Sequence, residues 1–224
     1  MKTLNIVLSA MAMAALAACS SGPPVPDWKM NAQSSIERFE AAYLNGSALV
    51  EQTEFQRARA QVGSTGKIDL IARVELLRCA TRVASLVFED CTGFEALRAD
   101  ATPADRAYAD YLAGTVQPAD IALLPEAQRA VAAASSDTAA STAVAAVTDP
   151  LSQLVAAGVL LRASRATPAL LDTAVSTASD QGWRRPLLAW LGVQRLRAEQ
   201  AGDQQAAQRI GRRMDIVEKS GKPL

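Results

Sequence analysis

The chain contains 224 residues, with 23 basic and 23 acidic side chains and no histidine. A net charge of zero is not typical of nucleic-acid-binding proteins, which concentrate positive charge, so we predict no nucleic-acid partner. The absence of histidine excludes Ser-His-Asp and Cys-His catalysis and histidine-based zinc sites, and we therefore predict no enzymatic activity, metal or other cofactor.

Residues 1–18 have the organisation of a secretory signal peptide. A positively charged start precedes an apolar stretch that is shorter than the ~20 residues needed to span a bilayer. The stretch ends at Leu16-Ala17-Ala18-Cys19, which resembles the lipobox of bacterial lipoproteins. The resemblance implies that the chain is cut before Cys19 and that this cysteine is acylated. An ordinary signal peptide with a chance cysteine is the alternative.

The lipobox resemblance also implies a location. Acyl chains would hold the protein to a membrane of the cell envelope, and two lipid signals are enough for stable anchoring. Ser20, directly after the cysteine, favours the outer membrane by the sorting rule of enteric bacteria. We predict that the protein faces the periplasm there. Residues 19–30 contain Pro23, Pro24 and Pro26, which favour extended geometry, so we predict a flexible lipidated tether.

The remaining residues, 31–224, are predicted to form one all-α domain, either undivided or composed of two sub-bundles at 31–114 and 149–220. Alanine is abundant, aromatic residues make up 4% of the chain, and apolar residues recur at helical spacing without the alternation of strands. The first predicted elements are a helix from a capping box at Ser34 to Gly46, and helices at about 48–62 and 68–86.

Cys79 and Cys91 are the cysteines that remain if Cys19 carries lipid, and an oxidising compartment preserves disulfides. A bridge needs Cα atoms within ~7 Å, whereas continuous helix would separate these two by ~18 Å. The helix that carries Cys79 must then end before Cys91, and the chain must turn back. We predict a structural disulfide, with a redox dithiol and free buried thiols as the alternatives.

Three later helices are each marked by a capping residue directly before a proline. The capping side chain can accept a backbone N–H, and proline fits the first helical position. The marks are Thr102-Pro103, Asp149-Pro150 and Thr167-Pro168, and the predicted helices are 103–113, 150–164 and 168–180.

Two predicted hairpins resemble tetratricopeptide repeats. In that family a glycine in the turn is followed about nine residues later by an aromatic residue and then by alanine, as Gly46 is followed by Phe55 and Ala58 here. The C-terminal hairpin offers Trp190 and Gly202-Asp203, one residue longer than the family pattern, and neither hairpin has the family's leucine-glycine pair. The resemblance implies stacked antiparallel hairpins that bind another protein, with an irregular helical array as the alternative. Trp190 is also predicted to be buried against the last helix.

Basic residues outnumber acidic ones near the C-terminus, where a cluster of arginines would attract an anionic partner. The candidate residues are Arg184, Arg185, Arg209, Arg212 and Arg213. Arginines that only solvate the exterior of helices are the alternative.

These features favour a non-enzymatic adaptor, a lipid-anchored envelope protein whose hairpins contact another envelope protein. Two alternatives stay open: a cell-wall- or lipid-acting enzyme that uses carboxylates, and a purely structural lipoprotein. The candidate carboxylates are Glu89-Asp90 and the pair Asp105 and Asp110. We interpret them as solvated helix ends, because the sequence indicates no cleft between them.

Overall fold

The computed structural model describes residues 24–221, and all the regular structure in that range is helical. This confirms the predicted all-α fold class. The predicted signal peptide, the lipobox and Cys19 lie outside the described residues. The α-helices of the described range are α1 (Asp27–Leu44), α2 (Ala48–Gly63), α3 (Ile68–Ala84), α4 (Thr92–Glu95), α5 (Pro103–Ala113), α6 (Glu126–Ala132), α7 (Asp137–Ala145), α8 (Pro150–Arg162), α9 (Pro168–Asp180), α10 (Arg184–Gln200) and α11 (Gln204–Lys219). Two short 3-10 helices cover Arg98–Asp100 and Pro118–Leu123.

The first helix begins earlier than its sequence pattern predicts. α1 starts at Asp27, so the tether predicted through residue 30 and the capping box predicted at Ser34 are wrong at this boundary. Pro26 is the residue before the first helical turn, and its carbonyl accepts the first backbone hydrogen bonds of α1. Trp28 packs against an apolar cluster between the first helices, and this contact stabilises the additional turns.

The helix starts predicted at proline are confirmed. The side chains of Thr102, Asp149 and Thr167 accept the N–H of the residue three positions later, at 3.1, 2.8 and 3.1 Å. Proline then occupies the first helical position, where an N–H would have no partner within the helix. Asp203 caps α11 in the same way, directly after Gly202 in the left-handed conformation (φ +76°). Local chemistry therefore decides where these helices begin.

A small apolar cluster joins the first three helices. Phe39 of α1 and Phe55 of α2 meet edge to face, with ring centroids 5.7 Å apart, and Val62 and Val74 pack beside them. The turn between α1 and α2 contains Gly46 at φ +85°, a conformation that favours glycine. The short turn and the paired phenylalanines make α1 and α2 an antiparallel hairpin.

The larger apolar cluster surrounds α3, which packs against α2, α5 and α8. The cluster continues from Ala72 on α3 through α8 and α9 to Leu191 on α10. Trp190 lies inside it with no exposed surface, as predicted, but its Nε1 donates a hydrogen bond to the carbonyl of Ala84 at 3.0 Å. The indole therefore reaches the end of α3, whereas the apolar side of α11 packs at the edge of the cluster.

Gly158 marks the closest approach of α8 to α3, because a Cβ at this position would overlap the backbone carbonyl of Val83. We expect Gly158→Ala to lower the free energy of unfolding by about 1–3 kcal/mol, since the two helices would have to separate. Gly192, inside α10, is the matched control, because a Cβ there would meet no atom within 4 Å. Gly192→Ala should instead stabilise the protein by about 0.5–1 kcal/mol. Urea unfolding of both variants checks this, and equal midpoints would contradict the close packing of α3 and α8.

Candidate functional site

The predicted disulfide between Cys79 and Cys91 is confirmed, with Cα atoms 5.8 Å apart. α3 ends at Ala84, and the chain reverses at Leu86, which has a φ of +61°. The returning segment then passes over α3 and brings Cys91 beside Cys79. This is the reversal that the cysteine spacing required.

The five candidate arginines do not form one cluster. Arg185 donates a hydrogen bond from Nε to the carbonyl of Tyr43 at 2.8 Å, and its guanidinium lies 4.4 Å from the centre of the Tyr43 ring. Arg184 donates a hydrogen bond to the carbonyl of Asn45. Both arginines thus bind the C-terminal end of α1, where carbonyls lack helical partners and a positive charge is favourable. Their contacts join α10 to the first hairpin.

The other three arginines lie together on the last helix. Residues on one side of α11 face solvent, and we call them the α11 outer face: Arg209, Arg212, Arg213, Ile216 and Lys219. On the opposite side, the apolar residues Ala207, Ile210, Met214 and Val217 pack towards the core. Ile216 is 70% exposed and lies between Arg213 and Lys219 on this face. The face therefore combines positive charge with an apolar contact.

Buried carboxylates are paired with arginines throughout the first part of the fold. Each carboxylate side chain is at most 8% exposed and has an arginine nitrogen within 3.5 Å. The pairs are Glu51 with Arg78, Glu54 with Arg38 and Arg57, Glu75 with Arg59, and Asp105 with Arg73. Asp105 was interpreted as a solvated helix end, and this is wrong: it is 6% exposed and also accepts a hydrogen bond from the Thr102 hydroxyl. Burial of a carboxylate without a partner costs free energy, and pairing with an arginine offsets that cost.

A cleft of about 560 Å³ opens where α1, α3, α5 and the start of α8 meet. Three carboxylates line it, and we call it the acidic cleft: Glu37 and Glu40 from α1, and Asp149 from the residue before α8. Tyr108 of α5 and Trp183 before α10 supply aromatic walls. No arginine or lysine lines this cleft among the residues that the structure describes.

Glu40 differs from the other carboxylates of the cleft in its burial. It is partly buried, and this burial raises its pKa to about 7, with smaller contributions from the negative charges of Asp149 and Glu37. Glu37 accepts a hydrogen bond from Gln33 at 2.9 Å, and Asp149 accepts the N–H of Ser152 at 2.8 Å. Glu40 has no such partner among the described residues. It can therefore change its protonation near neutral pH.

Sequence reasoning missed the acidic cleft. Glu37 and Glu40 are one turn apart on α1, whereas Asp149 and Trp183 belong to much later parts of the chain. No spacing rule connects these positions, because α1 and α8 come close only by packing against the same helix, α3. One sequence signal was present, since Glu37 and Glu40 lie on the same side of a helix, but charged pairs of this kind also occur on solvated surfaces.

The described part of the chain has neither a membrane-spanning helix nor a cluster of metal ligands. Between residues 24 and 221, no helix combines the length and apolar character needed to cross a bilayer. Within the same range, no group of three or more potential ligands is arranged to hold a metal ion.

Comparison with known proteins gives no match for this chain. No protein-family model matches the sequence, and neither the curated proteins nor the solved structures contain a match.

Proposed function

We propose that this protein is a lipid-anchored envelope lipoprotein that acts as a non-enzymatic helical adaptor for another envelope protein. In this proposal Cys19 carries the acyl chains at the outer membrane, the helical domain faces the periplasm, and the α11 outer face binds an acidic surface of the partner. The lipobox Leu16-Ala17-Ala18-Cys19 supports the anchor. The α11 outer face supports the docking.

The exposure of the α11 outer face is the observation that carries the proposal. Within residues 24–221, Arg209, Arg212 and Arg213 form no salt bridge, whereas Arg195 on the neighbouring helix pairs with Glu199 at 2.8 Å. Arg213 donates a hydrogen bond to the hydroxyl of Ser179 at 3.0 Å, which leaves its charge without a carboxylate. Arginines on one helix face can bind carboxylates of a partner, and Ile216, one turn after Arg212 and Arg213, adds an apolar contact beside them. Arginine and large apolar side chains are enriched where proteins bind one another.

Photocrosslinking in intact cells tests this proposal. A photoreactive amino acid at position 216 should give a defined adduct with one acidic envelope protein. The adduct should disappear when Arg209, Arg212 and Arg213 are replaced by Glu, because the positive face would then repel the partner. Exposed lysines outside this face serve as the charge control, and Lys29→Glu with Lys67→Glu should leave the adduct intact.

Two further variants serve as controls for the crosslinking experiment, one at position 49 and one at the lipid anchor. Leu49 is 78% exposed on α2, so the same photoreactive residue there controls for random collisions. Equal adducts from positions 49 and 216, or an adduct that survives charge reversal, would overturn the docking face. Cys19→Ser should abolish incorporation of radiolabelled palmitate and reduce the adduct. Palmitate that still enters this variant would overturn the anchor.

A further inference from the structure

The acidic cleft has the composition of a small-molecule site. Leu44, Leu77 and Val155 give it apolar surface, and Tyr108 and Trp183 give it aromatic surface. Its volume of about 560 Å³ lies in the range of sites that bind small organic ligands, which combine apolar walls with a few polar groups. The cleft is therefore more than a group of acidic side chains on a surface.

The carboxylates of the acidic cleft lack the arginine partners that the buried carboxylates of the described residues have elsewhere. Glu51, Glu54, Glu75 and Asp105 are buried, and the chain supplies an arginine for each of them. Glu40 is partly buried beside two further carboxylates, but no basic residue of the described range lines the cleft. The fold thus leaves a negative site without the cation that it provides elsewhere.

We propose that the acidic cleft binds a small organic cation, an ammonium or guanidinium group carried by an apolar body. The cationic group would lie among Glu37, Glu40 and Asp149, in the role that arginine has at the buried carboxylates. Tyr108 and Trp183 suit such a ligand, because cations bind favourably to aromatic faces. The apolar surface accommodates its body. A bare metal ion fits less well, since it requires several oxygen ligands in a defined arrangement.

This inference is independent of the proposed docking function. The acidic cleft and the α11 outer face share no residue. Failure of the crosslinking experiment would leave the cleft proposal standing, and failure of ligand binding would leave the docking proposal standing.

Calorimetric titration of the purified protein with benzylamine tests the proposal, with benzyl alcohol as the uncharged analogue. Benzylamine should bind, and benzyl alcohol should bind about tenfold more weakly or not at all, because it lacks the charge. A short blocked peptide with one lysine distinguishes the source of the cation. Tighter binding of the peptide would assign the cleft to a lysine of another protein, and tighter binding of benzylamine would assign it to a free amine. Failure of both cations to bind would overturn the proposal.

Glu40→Gln removes the central carboxylate at nearly constant volume. It should weaken benzylamine binding at least about tenfold, while the matched neutralisation Glu126→Gln, at an exposed residue outside the cleft, should not change it. Binding to the parent should also weaken as the pH falls through about 7, where Glu40 takes a proton. The groups that face Glu40 are Glu37, Asp149 and Tyr108, and all of them are acids. Unchanged binding by Glu40→Gln, or binding insensitive to pH, would overturn the assignment.

Thermal unfolding of Glu40→Gln tests whether a loss of ligand binding comes from misfolding of the variant. The pKa of Glu40 is raised in the folded state, so its contribution to stability is full below a pH of about 4.5 and is lost as the pH rises through about 7. Glu40→Gln should therefore melt above the parent when the pH exceeds 7, and close to it below 4.5. A variant that melts below the parent at both pH values would mean that Glu40 holds the fold together and is not a ligand group.

Discussion

Trp190→Ala should lower the free energy of unfolding by about 3–5 kcal/mol, the usual effect of truncating a buried tryptophan. The indole has no exposed surface and lies in the larger apolar cluster, so its removal leaves a cavity between α10 and the end of α3. It also removes the hydrogen bond to Ala84, whose carbonyl lies at the end of α3. A domain of this size has a total stability of about 5–15 kcal/mol, so the loss would be a large part of it.

Two further variants separate the contributions of Trp190. Trp190→Phe keeps an aromatic ring but loses the pyrrole part of the indole and its donor to Ala84, and it should cost about 1–3 kcal/mol. Arg209→Ala, on the exposed side of α11, should change stability by less than about 0.5 kcal/mol. Urea denaturation followed by circular dichroism measures all three. If Arg209→Ala cost more than Trp190→Ala, the C-terminal hairpin would not be packed as described.

Replacing Cys79 and Cys91 together by serine should lower the free energy of unfolding by about 3 kcal/mol. The disulfide closes a loop with a sequence separation of 12, and it reduces the freedom of the unfolded chain. It also holds the reversed segment after α3, where Gly93 approaches Glu75 so closely that a Cβ would overlap the carboxylate. Thermal unfolding of the double variant and of the parent measures the loss.

Redox controls show whether the effect comes from the disulfide. A reducing agent should shift the parent towards the double variant and leave the double variant unchanged. Alkylation of the denatured, unreduced protein should label neither Cys79 nor Cys91, and both should be labelled after reduction. Complete labelling before reduction would exclude the bridge in the purified protein.

Helix boundaries illustrate how far local sequence determines this fold. Thr102, Asp149 and Thr167 each bind a backbone N–H three residues later, so their capping role depends only on residues that are adjacent in the sequence. The cysteine spacing similarly required a reversal, and Leu86 provides it. By contrast, the true start of α1 depends on Trp28, whose packing partners lie on other helices.

The arginines illustrate what sequence alone could not decide. Residue type and proximity along the chain grouped Arg184 and Arg185 with Arg209, Arg212 and Arg213. The structure separates them, because the first two bind carbonyls at the end of α1, about 140 positions away in the sequence (separations of 139 and 142). Side-chain direction depends on which helices pack together, and a list of charges carries no such information.

The sequence by itself determined the helical class and the capped starts of α5, α8 and α9, because these follow from short-range stereochemistry and from propensities summed over many residues. It predicted the disulfide with alternatives, and only the structure brings Cys79 and Cys91 together. The tertiary structure alone decided which carboxylates receive an arginine and which face a cleft. Glu54 is neutralised by Arg38 from the neighbouring helix, whereas Glu40, one turn from Glu37, meets Asp149 and no cation of residues 24–221. That difference arises from long-range packing, in which residues far apart in sequence share one desolvated environment and set each other's charge.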